Sequence, residues 1–451
     1  MPDRPATDST NRRATWALAL TSMASLMVAL DALVVSTALS TIRVQLHASL
    51  AGLEWTVNAY VLSLAVLLMT GAALGDRFGR KRLFVAGMGL FVIGSAACAL
   101  ASAAFAPARR ARALGIYGAV TGLGVVLGPL VGGAAVQGIS WPWIFWINVP
   151  IGLVGVVLSR GHISESFGPD TALDLPGLAL VTGGAFGIVW ALVRGNSIGW
   201  ASPQTVVALA AGVAALVGFI TWELRAPAPM LPMRLFRSRP FSVGNATIFL
   251  LWAAALGSVF FMAQFLQIGL HYDALGTGLR LMPWGAAIFV AAPMTGSRIS
   301  QVGERPFLVG GLLLGAAGMG WIALVARPNL AYWQIVAPLV ITGLGMSMTI
   351  PAAQSSVMSH VAPQHIGKAS GTFTTLRQLG GAFGVALAVA AFAGAGGYQS
   401  AQAFSDGFGP AIAISAGLAL VGAAVAAFAP GMRADSALGP AETAPGVAAR
   451  R

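Results

Sequence analysis

The stretch WALALTSMASLMVALDALVVSTAL, Trp16 to Leu39, decides how this chain folds. It holds 24 residues of almost unbroken apolar character with a single acid, Asp31, inside it. As a helix it is ~36 Å long, enough to cross a ~30 Å hydrocarbon core with some tilt. Hydrocarbon offers no partner to a backbone N–H or C=O, so such a run becomes a helix whose bonds are all internal. Arg4, Arg12 and Arg13 precede it, as in a signal peptide. The run exceeds the ~7–15-residue apolar core of a signal peptide, and more spans follow, so it reads as a retained first helix.

Runs of the same kind recur near 56–75, 83–105, 114–137, 142–159, 174–193, 204–223, 242–267, 275–297, 307–326, 332–352, 371–394 and 409–430, giving about thirteen spans in all. The whole chain is 57% hydrophobic and 9% charged, with mean hydropathy +0.80, whereas a soluble domain carries about 25% charged residues. The expected fold class is therefore all-α, a polytopic membrane helical bundle.

A net charge of +12 raises the question of nucleic acid. The basic residues answer it by falling in alternate breaks: Arg77, Arg80, Lys81 and Arg82, then Arg225, Arg234, Arg237 and Arg239, then Arg298 and Arg305, then Lys368. Arg43, Arg194, Arg280 and Arg327 are the exceptions. This positive-inside pattern puts the N-terminus in the cytoplasm, makes anionic lipid the neighbour of the basic loops, and leaves no role for nucleic acid. Trp141, Trp143, Trp146 and Trp222 stand where interfacial anchors belong. Cys98, the one cysteine, lies in an apolar run and has no internal disulfide partner. The alternation breaks once: DRFGRKR (76–82) and PARRAR (107–112) are separated by one apolar run, yet one crossing cannot begin and end on the same side, so either residues 83–105 do not cross fully or a helix that belongs here is absent.

Three motifs carry chemistry. Asp31 lies near the middle of the first span, where an acid costs ~2.5–3.5 kcal/mol on insertion scales and therefore faces a cavity or a partner. Burial and nearby cations tune its proton affinity, so it can bind and release a proton. A hydrogen bond to a neighbouring helix is the structural alternative. GAALGDRFGRKR, Gly71 to Arg82, joins spans two and three: glycines permit the turn, Asp76 caps the next helix, and the cations hold the loop in the cytoplasm. GLGVVLGPLVGG, Gly122 to Gly133, places Gly124, Gly128 and Gly132 on one bare helix face suited to close packing, and Pro129 kinks that helix.

The Gly71–Arg82 string resembles the signature loop of the major facilitator superfamily, with Gly71, Leu74, Gly75, Asp76, Arg77, Gly79, Arg80 and Lys81 as its matching residues and Ala72 at its first glycine position. The Gly124, Gly128, Pro129, Gly132 and Gly133 motif, followed by WPWIFWINVPIG (141–152), resembles the antiporter motif of drug:proton exporters. LDALVVSTAL (30–39), LEWTVNAYVL (53–62), FFMAQFLQIGL (260–270), GTGLRLMPWG (276–285) and GTFTTLRQLGGAFGVALA (371–388) look like the fourteen-span branch of those exporters. Gly380 and Gly384 repeat the spacing of Gly128 and Gly132, as structural repeats do.

The resemblance implies two pseudo-symmetric halves rocking around a midplane cavity. It divides the chain into a cytoplasmic tail (1–14), an N-terminal half (15–160), a linking helix pair with its loops (161–240), a C-terminal half (241–430) and a disordered tail (431–451). It also implies a fourth helix between ASAAF (101–105) and APARRARALG (106–115). No such helix stands there, which accounts for the broken alternation and leaves the N-terminal half one helix short.

Asn245, Gln264, Gln267, Arg377 and Gln378 are candidate cavity residues. For the amides a plain helix-to-helix tie is an equal alternative, and Arg377, placed near the cytoplasmic end of its span, has snorkelling as its own. Glu54 and Trp55 open the second span at the outer surface. His47, His162, His271, His360 and His365 are too scattered for a metal. There is no G-x-x-x-x-G-K-[ST] loop, so the expected energy source is the proton motive force, with no cofactor. The expectation is a monomeric transporter of the bacterial inner membrane, not an enzyme, that exports small amphipathic compounds (drugs, dyes or antibiotics) against protons, with Asp31 as the proton carrier. An internally deleted transporter without activity is the second reading and a membrane-embedded enzyme the third.

Overall fold

The computed structural model describes residues 174–431 apart from positions 228, 230, 232, 360, 363 and 364, residues 143–162 apart from 147, and residues 78, 81, 82, 84–90 and 138. The spans expected near 16–39, 56–75 and 114–137, Cys98, the 105–106 join and the tail from 432 lie outside the described residues.

All regular structure among the described residues is helical. α1 is Trp143–Trp146 and α2 is Asn148–His162. α3 (Leu175–Ile198) and α4 (Pro203–Glu223) form a hairpin. A 3-10 turn, Met233–Arg237, leads into α5 (Arg239–Gln264), which ends in a π-helical turn, Phe265–Gly269. α6 (Ala274–Val302), α7 (Glu304–Val325), α8 (Trp333–Met358), α9 (Ile366–Ala395) and α10 (Ala401–Ala426) follow. Eight of these, α3 to α10, are long and apolar enough to cross a membrane.

Local chemistry explains where the helices start. Asp174, Ser202, Asp273 and Ser400 accept hydrogen bonds from the backbone N–H groups of Gly177, Thr205, Gly276 and Ala403, the N-cap arrangement. Prolines stand in the first turns of α3, α4 and α5, where the missing N–H leaves nothing unpaired. α10 corrects the expected start at 409. The helix begins eight residues earlier because Ser400 caps it and Gln402 Nε2 donates to Asp406 Oδ1 at 2.7 Å, so a polar turn that reads as loop is helical.

α5 is the hub. Of its most apolar window 72% is buried, against 17% for α4, so α5 is enclosed by protein while α4 presents Val206, Val207, Val213, Val217 and Ile220 outward, the surface of a helix in lipid. α5 packs chiefly on α9 and α10, α7 on α8 and α10, and α6 on α8. α3 rests on α9 and packs on α4.

The α5–α9 contact is made backbone to backbone. A Cβ at Gly380 would run into the carbonyl of Phe249, and one at Gly384 into the carbonyl of Ala253. From the other side, a Cβ at Gly257 would meet Gly384 O at 2.9 Å and Ser415 Oγ at 3.1 Å. At the far end of α5 an aromatic cluster closes the bundle: the rings of Phe265 and Phe408 stack at 4.1 Å and those of Phe261 and Phe392 at 4.7 Å.

At the end carrying Arg234, Arg237 and Arg239, polar bonds fasten the hairpin and the 224–238 connector to the bundle. Trp222 Nε1 donates to Asp174 Oδ1 at 2.7 Å, and the Leu231 N–H donates to Glu223 Oε2 at 3.0 Å. Lys368 Nζ, on α9, donates to Pro229 O at 3.1 Å. Ser355 Oγ on α8 donates to Glu304 Oε1 on α7 at 2.9 Å.

Two substitutions test this packing. Gly384→Ala forces a methyl against the Ala253 carbonyl and destabilises by about 1–3 kcal/mol, read as a lower unfolding temperature in detergent, whereas Gly417→Ala, with nothing within 4 Å of its Cβ, leaves it unchanged. Glu223→Leu strips the Leu231 N–H of its acceptor, and an orphaned buried donor costs about 1–3 kcal/mol. An unfolding temperature equal to the parent's would rule out a fastening role for that bond.

Candidate functional site

Asp31, the signature-loop residues Gly71, Leu74, Gly75, Asp76, Arg77, Gly79 and Arg80, and the antiporter-motif residues Gly124, Gly128, Pro129, Gly132 and Gly133 lie outside the described residues. Lys81, the remaining signature residue, is described: its Nζ donates to Arg160 O at 2.8 Å. It thereby satisfies a carbonyl in the last turn of α2 and places a cation at the negative end of that helix.

The five cavity candidates separate by geometry. Asn245 and Gln264 are both 0% exposed, inside the bundle. Asn245 Nδ2 donates to Phe241 O at 2.9 Å, one turn back on α5, and its Oδ1 is buried without a partner among the described residues. Gln264 Nε2 donates to Phe260 O at 2.8 Å, and its Oε1 accepts from the Tyr398 hydroxyl at 2.5 Å. Gln264 therefore joins the end of α5 to the segment between α9 and α10. Gln267 is half-buried in the π-helical turn. Gln378 is 8% exposed on α9.

Arg377 lies eleven residues into α9, about 16 Å along the helix axis. Its guanidinium carbon stands 5.0 Å from the Trp252 ring on α5, a cation–π contact. Its Nε is buried without a hydrogen-bond partner among the described residues, and so is Trp252 Nε1. Phe249, one turn before Trp252, meets Phe383 of α9 at 5.8 Å between ring centroids. The glycine seam brings these groups together: the close approach at Gly380 and Gly384 puts Arg377, one turn before Gly380, over α5. Trp252 carried no sequence signal, since a tryptophan in an apolar run is as readily core as site.

Arg280, an exception to the charge alternation, is also accounted for. Its guanidinium lies 3.5 Å from the Tyr272 ring centroid and 5.4 Å from that of Tyr332, while Nη1 donates to Gly276 O at 3.1 Å. The Tyr332 hydroxyl donates to Arg280 O at 3.0 Å, and burial pushes its pKa above the usual tyrosine value, keeping it a donor. Two aromatic faces flank this cation, and the Asp273 carboxylate stands on the same side of α6, beside Gly276. Among the described residues no group of three or more His, Cys, Asp or Glu side chains is placed to hold a metal.

The chain is 32% identical over 393 residues to the tetracenomycin C resistance and export protein of Streptomyces glaucescens, covering 80% of this chain and 73% of that one. It is 30% identical over 407 residues to the multidrug resistance protein Stp of Mycobacterium tuberculosis (strain CDC 1551 / Oshkosh), covering 84% and 75%. In fold it resembles a crystal structure of a POT family transporter in complex with 5-aminolevulinic acid, at a TM-score of 0.60 and 15% identity, over 91% of this chain and 95% of that one. The model of the Major Facilitator Superfamily matches residues 21–102 and 94–385. With two matched segments that take in most of its length, the chain belongs to the major facilitator superfamily.

Proposed function

We propose that the protein is a secondary transporter of the bacterial inner membrane that exports small amphipathic compounds in exchange for protons. The observation that carries this reading is likeness over about four fifths of the chain to proteins named for drug and antibiotic resistance and export. The bundle supplies what such a carrier needs: long apolar helices, a tightly packed α5–α9 wall, and a cation with aromatic rings on that wall.

Asp31 is the proton carrier of this proposal. A carboxyl within the first span takes a proton from outside, where protons are abundant, and returns it inside. Neutralising it removes a charge from the hydrocarbon, a difference of several kcal/mol that tips the two halves between their orientations. A proton falling through ~150 mV gains ~3.5 kcal/mol, which sustains a concentration ratio of roughly 300-fold. The N-terminus faces the cytoplasm in this scheme, and the 71–82 loop acts as a latch on that side.

A specific observation favours a second reading, an internally deleted chain that no longer transports. The alignment to the tetracenomycin C exporter is 393 positions long but takes in 80% of 451 residues, about 361, so about 30 positions of that relative face nothing here. That total is about the length of one membrane-crossing helix of ~20–25 residues with its loop. The two segments matched by the family model also meet at 94–102, beside the 105–106 join.

Efflux of a panel of amphipathic dyes from cells expressing the protein separates the readings. The first expects efflux that a protonophore abolishes, and Asp31→Asn lowering the rate by roughly 100-fold, the lower end of the range for loss of a positioned proton-transfer group. Efflux that survives Asp31→Asn removes Asp31 from the coupling. Absence of efflux, with the protein present in the membrane, establishes the deleted reading.

A further inference from the structure

We propose that Arg377 and Trp252 form a subsite for planar aromatic anions, compounds that carry a phenolate or carboxylate on a flat ring system. This deepens the transport reading and rests on it for its physiological meaning. Two hydrogen-bond donors, Arg377 Nε and Trp252 Nε1, are buried without an acceptor among the described residues. They belong to side chains in direct cation–π contact at 5.0 Å. Unpaired buried donors are uncommon and costly, and a guanidinium inside a membrane span is costlier still. No acid among the described residues forms an ion pair with Arg377.

The chemistry of that acceptor follows from the surroundings. A guanidinium binds carboxylates and phenolates by charge-assisted, planar hydrogen bonds. Phe249, Trp252 and Phe383 line the same α5–α9 contact and supply flat apolar faces for an aromatic body. Arg377, Trp252, Phe249 and Phe383 each keep part of their surface exposed, so a ligand meets the ring faces first and gains the two buried N–H groups by a side-chain movement. Neither neutral apolar molecules nor cations satisfy both donors. The selectivity is thus opposite in sign to what one acid in the cavity suggests.

The test is binding of two dyes that share a xanthene ring and differ in charge: fluorescein, an anion, and tetramethylrhodamine methyl ester, a cation. Fluorescence anisotropy is recorded with the purified full-length protein in nanodiscs. The parent protein is expected to bind fluorescein roughly tenfold tighter than the rhodamine, and Arg377→Gln to weaken fluorescein roughly tenfold, or about 1.4 kcal/mol, while leaving the rhodamine within about threefold. Trp252→Phe keeps the ring, removes the N–H, and weakens fluorescein alone. Unchanged rhodamine binding reports that the variants are folded. Equal affinity for both dyes in the parent, or fluorescein binding untouched by Arg377→Gln, overturns the proposal. Binding as expected with no dye efflux from cells would defeat the transport reading and leave the subsite standing.

Discussion

Everything described in the bundle depends on how closely α5 and α9 approach. Two helices in lipid gain nothing from burying apolar surface, because the acyl chains are as apolar as leucine, so association has to come from close packing and polar contacts. Gly380 and Gly384 allow that packing by putting the α9 backbone directly on the Phe249 and Ala253 carbonyls. Gly257 does the same from α5. With this seam set, α10 and α8 fall around α5, the aromatic cluster stacks at one end, and the connector fastens the α3–α4 hairpin at the other.

The second constraint is charge in a low-dielectric solvent, which the described half meets by different means. Glu304 accepts from a serine hydroxyl and Glu223 from a backbone amide, both near helix ends. Arg280 lies against two tyrosine rings. Arg377 has one indole and nothing else among the described residues, and it sits deep in its helix rather than at an end.

The fold was legible in the sequence because the membrane imposes a length and a composition that few other structures share. The spans expected near 174–193, 204–223, 242–267 and 371–394 all correspond to helices. Where the reading slipped, polarity was the cause. Ser400 to Gly409 looked like loop because hydropathy does not register a serine cap or a Gln402–Asp406 bond. For Arg377 the sequence left cavity and interface both open, because it shows the distance from a loop and not the indole across the seam. Gln264 and Asn245 were equally cavity or tie in the sequence, and only burial and partners distinguish them. The close packing at Gly380 and Gly384 was legible from their spacing, since close helix packing favours small residues four positions apart.

The central claim is that the protein exchanges protons for an amphipathic compound. Its most direct test is a proton flux measured on purified protein in liposomes, with a pH-sensitive dye trapped in an acidified lumen. Adding outside the compound that cells export fastest should alkalinise the lumen in step with entry of the compound, and a protonophore should abolish that entry. Entry without proton movement, or proton leak that ignores the compound, would contradict antiport.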